Sequence, residues 1–283
     1  MSDADFPAGS VWLVGAGPGD PELLTRKAER LLGLAEIIFH DALVGHGILE
    51  LASRRAELMS VGKRSGRHSM DQPTINRQLV AAAAAGQRVV RLKGGDPSIF
   101  GRSAEEVHAL NEAGIPVRIC AGVTAASAAA ASASLSLTLR DEVRSLTILT
   151  AHASEAKPLD LDWQALARKQ SGLAIYMGRN AAPDLARQLI AAGLSAETPV
   201  LIAVNVSLPS ERLIHGKLGS MAFLVKSISS DDPTLLLIGA MAGRTAPAAG
   251  GSSSRQCCPS ARALPGWAGQ PHNKALINND KMW

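Results

Sequence analysis

Aromatic side chains are scarce: they make up 3% of the 283 residues, with a single tyrosine. A platform for single-stranded nucleic acid needs rings on which bases stack, so that class is disfavoured. Cysteines number three, Cys120, Cys257 and Cys258. They form no CxxC pair and no HExxH run accompanies them, so neither a disulfide framework nor a metal centre is expected. No apolar stretch approaches the length of a membrane span. The first residues, Met1-Ser2-Asp3-Ala4-Asp5, are polar and acidic, unlike a secretory leader, and a reduced, cytoplasmic setting is the expectation. Excess charge is small, +4 overall. That suits an acidic small-molecule ligand and makes no case for nucleic acid or membrane.

What is present is a globular composition, 46% hydrophobic and 19% charged, on a length that fits two domains better than one. Short β-rich runs alternate with longer helical patterns, the signature of α/β structure. Strands read near 11–14, 36–39, 57–61, 88–92 and 117–119, with helices near 21–33, 46–54, 72–85 and 102–113. Asp20 can cap the first helix, Pro21 suits its first position, and Glu22 favours its dipole. A second set has strands near 145–150, 173–177, 199–205 and 234–238, with helices near 161–169, 183–192 and 218–228. The alanine-rich stretch Thr124–Ala133 reads as a helix bridging the halves. The expected organisation is an N-terminal α/β domain over 10–123, a C-terminal α/β domain over 124–243, and a disordered tail over 244–283, rich in Pro, Gly, Ser and Ala.

Two glycine-rich loops fall where strands end. Gly15-Ala16-Gly17-Pro18-Gly19-Asp20 looks like a dinucleotide fingerprint, with Asp41 near the spacing of its ribose-binding acid. Pro18 argues against a diphosphate ligand, since it offers no N–H and locks φ, and the spacing is GxGxG. A tight strand-to-helix turn is the plainer reading. Gly94-Gly95-Asp96-Pro97 bares the main chain and then presents a carboxylate. It suits a cationic ligand group such as a sulfonium, and equally an Asp-Pro turn. Lys63, Arg64, Arg67 and His68 form a basic loop that Lys93, Arg102 and Arg140 would extend if the loops converge. Such a cluster favours a polycarboxylate, although a solvated loop has the same composition. Asp41, after Ile37-Ile38-Phe39-His40, can be a general base or can cap the next turn.

Taken in order, GAGPGDPELLTRKA, HDALV, VGKRSGRHSMDQ, RVVRLKGGDPSIFGR, AGVTAAS and IYMG resemble the uroporphyrinogen-III C-methyltransferases of the tetrapyrrole methylase superfamily, over roughly residues 10–243. The resemblance implies two α/β domains with the active site in the cleft between them, a homodimer, and S-adenosyl-L-methionine bound in a folded conformation. S-adenosyl-L-homocysteine is the implied product. By matching motif, the cofactor contacts are Pro18, Gly94, Gly95, Asp96, Ile99, Thr124, Ala125 and Met177. Val206 stands where the family has a cofactor-contacting glycine. Asp41 matches the proton acceptor and Lys63 the proton donor, and Arg67 and Arg140 the basic substrate region. No metal is implied. The implied reaction methylates uroporphyrinogen III at C2 and C7 to give precorrin-2, for siroheme or cobalamin.

The C-terminal half departs from the family pattern. Ser132, Ser136 and Leu139 replace a tyrosine, a proline and a histidine, Thr150-Ala151-His152 replaces Thr-Gly-His, and Val204-Asn205-Val206-Ser207 replaces a glycine-containing turn. Valine avoids positive φ, so Val206 is expected to narrow the pocket. Three other readings stay open: a methyltransferase of the same fold for a later corrin precursor, a weakened tetrapyrrole- or cofactor-binding relative, and a nicotinamide oxidoreductase.

Overall fold

The run Val11-Trp12-Leu13-Val14-Gly15 is buried at every position and forms strand β1 (Val11–Gly15). A strand hidden on both faces must lie between helical layers. In the computed structural model, which describes residues 6–62, 70–151 and 160–243, β1 is followed by α1 (Arg26–Leu34), β2 (Ile37–His40), α2 (His46–Leu49), β3 (Glu57–Ser60), α3 (Gln72–Ala84), β4 (Val89–Lys93), α4 (Ser103–Glu112), β5 (Val117–Cys120) and α5 (Ala125–Ser132). The second half adds β6 (Ser145–Thr150), α6 (Trp163–Leu166), β7 (Ser171–Tyr176), α7 (Ala182–Ala191), β8 (Pro199–Val204), β9 (Arg212–Lys217), α8 (Met221–Leu224) and β10 (Thr234–Ile238).

The fold is α/β with two sheets. The first has strand order β3-β2-β4-β1-β5 and every pairing in it is parallel. Alternate side chains leave opposite faces of a strand. Trp12 and Val14 join Ala28, Leu31 and Leu32 of α1 on one face, while Val11 joins Leu79 of α3 and Leu110 of α4 on the other. Each such fully buried aliphatic side chain stabilises the fold by about 1.5–3 kcal/mol before entropy is set against it.

The second sheet is mixed, with order β6-β7-β10-β8-β9. Its β6 and β7 are parallel, whereas β10 runs antiparallel to β7 and β8, and β9 antiparallel to β8. Leu173, Ile175, Val200, Ile202 and Val204 face α7 and α8, and Ala174, Leu201, Ala203, Leu235 and Leu237 face the alanines of α5. The small side chains of α5 let that helix lie close to the sheet, which is why an alanine-rich segment follows the first sheet and covers the second.

Several elements differ from the sequence reading. The helices read over 46–54 and 161–169 shorten to α2 and α6, and the one over 218–228 is a 3-10 turn, Leu218–Ser220, then α8 and a second 3-10 turn, Val225–Ser227. The segment read as one helix over 21–33 is a 3-10 turn, Pro21–Leu23, followed by α1. Asp20 caps the turn by accepting from Glu22 N, and Thr25 then caps α1 by accepting from Ala28 N. Strand β9 was not anticipated at all. The tail over 244–283 lies outside the described residues.

Candidate functional site

In the first sheet β1 connects to β2 on one side while β4 connects to β5 on the other, so the chain reverses direction between the neighbours β1 and β4. Ligands of open α/β sheets sit at such a switch point, beyond the carboxyl ends of the strands. Both glycine loops lie there. Ala16 N donates to Lys93 O at 2.8 Å, Gly17 N to Gly95 O at 3.1 Å and Gly95 N to Gly17 O at 2.7 Å. A third loop, after β5, closes on them. A Cβ on Gly15 would lie 2.6 Å from Cα of Gly122, and one on Gly122 would lie 2.3 Å from Gly95 O. These glycines are required by main chain packed on main chain, which is the turn reading of the first loop. Gly94 and Gly95 differ: among the described residues a Cβ on Gly94 would meet only Leu43 Cβ, at 3.4 Å, and one on Gly95 would meet nothing within 4 Å. The open face of the cradle is therefore at Gly94-Gly95, with Pro18 one residue beyond the bridge.

Asp96 holds this cradle in shape. Its Oδ1 accepts from Ser98 N at 2.8 Å and from the Ser98 hydroxyl, and its Oδ2 accepts from Gly122 N at 2.9 Å. Burial pushes its carboxyl pKa up, but the hydrogen bonds from Ser98 and Gly122 outweigh that and hold it below the ordinary value. Of the two readings of this loop the turn is thus present, and the carboxylate keeps some acceptor capacity for a cation. Ile99 N donates to Asp96 O at 3.1 Å, which fixes Ile99 beside it.

Asp41 follows β2 and is 30% exposed. It does not cap the next helix: α2 is preceded by Gly45, with no side-chain cap. Its Oδ1 instead accepts from Arg91 Nη2. Arg91 lies on β4, 3% exposed, and its Nε donates to Glu106 Oε1 at 2.9 Å. Lys93 Nζ reaches both oxygens of Glu106, at 2.9 and 2.8 Å. This corrects the expectation for Lys93. It is not part of a basic rim, because alternation along β4 turns it inward, where it is 4% exposed and paired. Burial, and then the Arg91 charge, lower the Lys93 pKa, against the pull of Glu106.

The second sheet brings its strand ends to the same place. Met177 follows β7 with φ 55° and is 48% exposed. The preceding Tyr176, the only tyrosine of the chain, pairs its hydroxyl with Thr124 Oγ1 and accepts from Ala126 N at 3.1 Å. Thr124 and Ala125 open α5, so this contact ties them to Met177. The Tyr176 ring also lies 5.3 Å from that of Phe100. From the first glycine loop, Asp20 N donates to Ser207 Oγ at 2.9 Å, and Ser207 N donates to Glu211 Oε2 at 2.6 Å. Ser132, standing where a tyrosine is usual, donates to the same Glu211 oxygen at 3.0 Å.

Val206 is 6% exposed and packs with Ala126, Ala129 and Leu235. The left-handed backbone of its turn falls on Asn205, φ 52°, and Ser207, φ 63°, so Val206 avoids the strain anticipated for it. Phe100, Arg102 and Met177 are left-handed too, each at about 1–2 kcal/mol, and such strain clusters at functional sites. Leu135, Leu137 and Leu139 are half-buried and pack against the core of the second sheet, so the position of the missing histidine is an apolar packing contact. Arg140, exposed, sits at the tip of the hairpin that pairs Leu139 with Val143. Lys63, Arg64, Arg67, His68 and His152 lie outside the described residues. Sequence reasoning missed Arg91, Glu106, Tyr176 and Glu211. A signal existed for Tyr176, a lone tyrosine beside a motif methionine, and none for the buried pair, whose partners sit on different elements.

Comparisons with known proteins bear on the family and the fold. The family described as Tetrapyrrole (Corrin/Porphyrin) Methylases matches residues 10–222. A siroheme synthase of Gluconacetobacter diazotrophicus is 44% identical over 231 residues, covering 82% of this chain and 49% of the relative. One from Acinetobacter baylyi is 45% identical over 239 residues, covering 84% and 52%. The chain thus spans about half the length of the curated relatives it matches. Among solved structures, a uroporphyrin-III C-methyl transferase from Thermus thermophilus complexed with S-adenyl homocysteine is 36% identical, with a TM-score of 0.70 over 83% of this chain and 93% of that one. A cobalt precorrin-4 methyltransferase superposes with a TM-score of 0.75 at 24% identity, a likeness of fold. With its main-chain cradle, its two sheets and a family match over most of its length, the chain belongs to the tetrapyrrole methylases.

Proposed function

We propose that this chain is an S-adenosyl-L-methionine-dependent methyltransferase that methylates uroporphyrinogen III at C2 and C7 to give precorrin-2, in the branch leading to siroheme and cobalamin. The observation that carries the reading is the 36% identity to a uroporphyrin-III C-methyl transferase holding S-adenyl homocysteine, over 93% of that chain. The residues present fit the methyl donor, because the cradle is bare and open at Gly94 and Gly95. We further propose that residues 10–123 and 124–243 act as two domains around a cleft and that the protein works as a homodimer, as the family resemblance implies, in the reduced, cytoplasmic setting expected from its cysteine usage.

S-adenosyl-L-methionine, when bound, supplies a sulfonium methyl group for in-line attack by an electron-rich pyrrole carbon. The main chain at Pro18, Gly94, Gly95 and Val206, with Asp96, Ile99, Thr124, Ala125 and Met177, holds the donor and excludes water. Holding the reacting carbon and methyl group in near-attack geometry lowers the barrier by several kcal/mol, about 7–11 at best. The methylated carbon already bears a side chain and holds no hydrogen, so the charge brought by the methyl group is relieved by loss of a proton from the ring nitrogen or the adjacent bridge carbon. Asp41 accepts that proton, and Lys63 supplies one to a bridge carbon where the double bonds of the macrocycle rearrange. Arg67 and Arg140 meet substrate carboxylates, for which guanidinium geometry is well matched.

Incubation with uroporphyrinogen III and S-adenosyl-L-methionine should give the red fluorescence of oxidised precorrin-2. Asp41→Asn should lower turnover by about 10²–10⁴-fold, the usual scale of general-base catalysis, while S-adenosyl-L-homocysteine affinity is kept. Calorimetry showing tight NAD(P) binding and no response to the methyl donor would end this reading. A second reading, a binding relative with weak turnover, draws on Leu139, where the family's histidine is replaced by a core-packed leucine. Methyl transfer at ordinary enzymatic rates excludes it.

A further inference from the structure

Three ionisable side chains lie inside the first domain with no part in the reaction described above. Arg91 is 3% exposed, Lys93 4% and Glu106 0%. A buried ion pair is weak evidence for stability, since well-packed apolar residues often do as well. Here the buried group ends on a single accessible carboxylate. Arg91 Nε donates to Glu106 Oε1 at 2.9 Å, and its Nη1 donates to Leu92 O at 3.1 Å and to Phe39 O at 3.4 Å. Its Nη2 is then directed onto Asp41 Oδ1. Glu106 is itself clamped by Lys93 and by Gln72 Nε2, which donates to its Oε1 at 3.2 Å. Two positive and two negative charges close the set. Asp41 Oδ2 accepts no hydrogen bond from any described residue.

We propose that Arg91, locked by Glu106 and Lys93, is a positioning residue for Asp41: it fixes one carboxylate oxygen so that the other faces the cleft as the proton acceptor. A planar guanidinium that makes bonds on several edges cannot swivel, and this role is closed to lysine. The inference rests on the reading of Asp41 as the base, and the experiment separates the two.

Turnover of uroporphyrinogen III, affinity for S-adenosyl-L-homocysteine and the melting curve are measured for Arg91→Lys, Glu106→Gln, Asp41→Asn and the double variant Arg91→Lys with Asp41→Asn. Arg91→Lys should lower kcat by about 10²-fold, the scale of an ångström's misplacement, with KM and inhibitor affinity unchanged. In the Asp41→Asn background it should cause no further loss, because residues that act as one unit are not additive. Glu106→Gln keeps an oxygen for Arg91 Nε at equal volume, should lower kcat at least about tenfold, and carries the test if Arg91→Lys does not fold. Folded Arg91→Lys or Glu106→Gln with wild-type kcat, or losses that multiply in the double variant, overturns the positioning role alone. Wild-type kcat in Asp41→Asn overturns the base assignment and the positioning role with it.

Discussion

A methyl group added at Gly122 has nowhere to go. Its carbon would lie 2.3 Å from the carbonyl oxygen of Gly95 and 2.8 Å from Cα of Gly15, all main chain. Non-bonded contacts of this kind need about 3.5 Å, so the loops after β1 and β4 must part from the loop after β5 by about 1 Å. Overpacking on this scale costs about 1–3 kcal/mol, and no flexible side chain is there to swing aside. Gly122→Ala should therefore lose about 2 kcal/mol or more, seen as a lower urea midpoint at constant slope. At Gly94 the same methyl meets, among the described residues, only Leu43 Cβ, at 3.4 Å, and the backbone is not left-handed. Gly94→Ala should leave stability unchanged or raise it by about 0.4–1 kcal/mol through the unfolded chain. Its new carbon points into the space assigned to the methyl donor, so affinity for S-adenosyl-L-homocysteine should fall at least about tenfold, or 1.4 kcal/mol, by calorimetry. Gly94→Ala that binds the inhibitor like wild type, or Gly122→Ala that unfolds like wild type, refutes the division of labour between the two glycines.

Tyr176→Phe removes the acceptor for Ala126 N and the partner of Thr124; a loss of about 1–3 kcal/mol is expected in denaturant melts, and none would mean that water replaces the hydroxyl. Val206→Ala should cost about 1–3 kcal/mol from the buried cluster while the inhibitor dissociation constant stays within about twofold, 0.4 kcal/mol; a clear gain in affinity would instead place its side chain in the pocket. Because Asp96 is held below the ordinary carboxyl value of 3.8, the unfolded chain binds its proton more tightly than the folded one. Its contribution is full above that value and is lost as the pH falls below it. Asp96→Asn should flatten this part of the acid unfolding profile, and a profile that superposes on wild type counts against the tether.

The first sheet was legible because its central strands β1, β2 and β4 are buried on both faces and read as largely apolar runs, two of them ending at a glycine loop. β9 was not. Its sequence, Arg212-Leu213-Ile214-His215-Gly216-Lys217, lies at a sheet edge with an exposed, charged face. Such charges guard edges against further pairing and dilute the apolar signal. The break in the first helix was hidden for a different reason: Asp20 and Thr25 are both competent caps, and only tertiary packing selects Thr25 for α1. In the candidate site, the two glycine loops were visible from spacing alone. That Gly15 serves packing while Gly94 faces open space depends on Gly122, a residue distant in sequence. Lys93 read as part of a surface cluster because the strand's alternation identifies which residues share a face, not which face is covered; α4 covers it and supplies Glu106.

Two contacts join the residues before Thr124 to those after it at separate points, Asp20 N with Ser207 Oγ on one side and the ring of Phe100 with that of Tyr176 on the other. A jaw pinned at both corners cannot gape without breaking one of them. Drawing the two sheets apart therefore gives up a hydrogen bond or a ring contact, each worth about 0.5–1.5 kcal/mol.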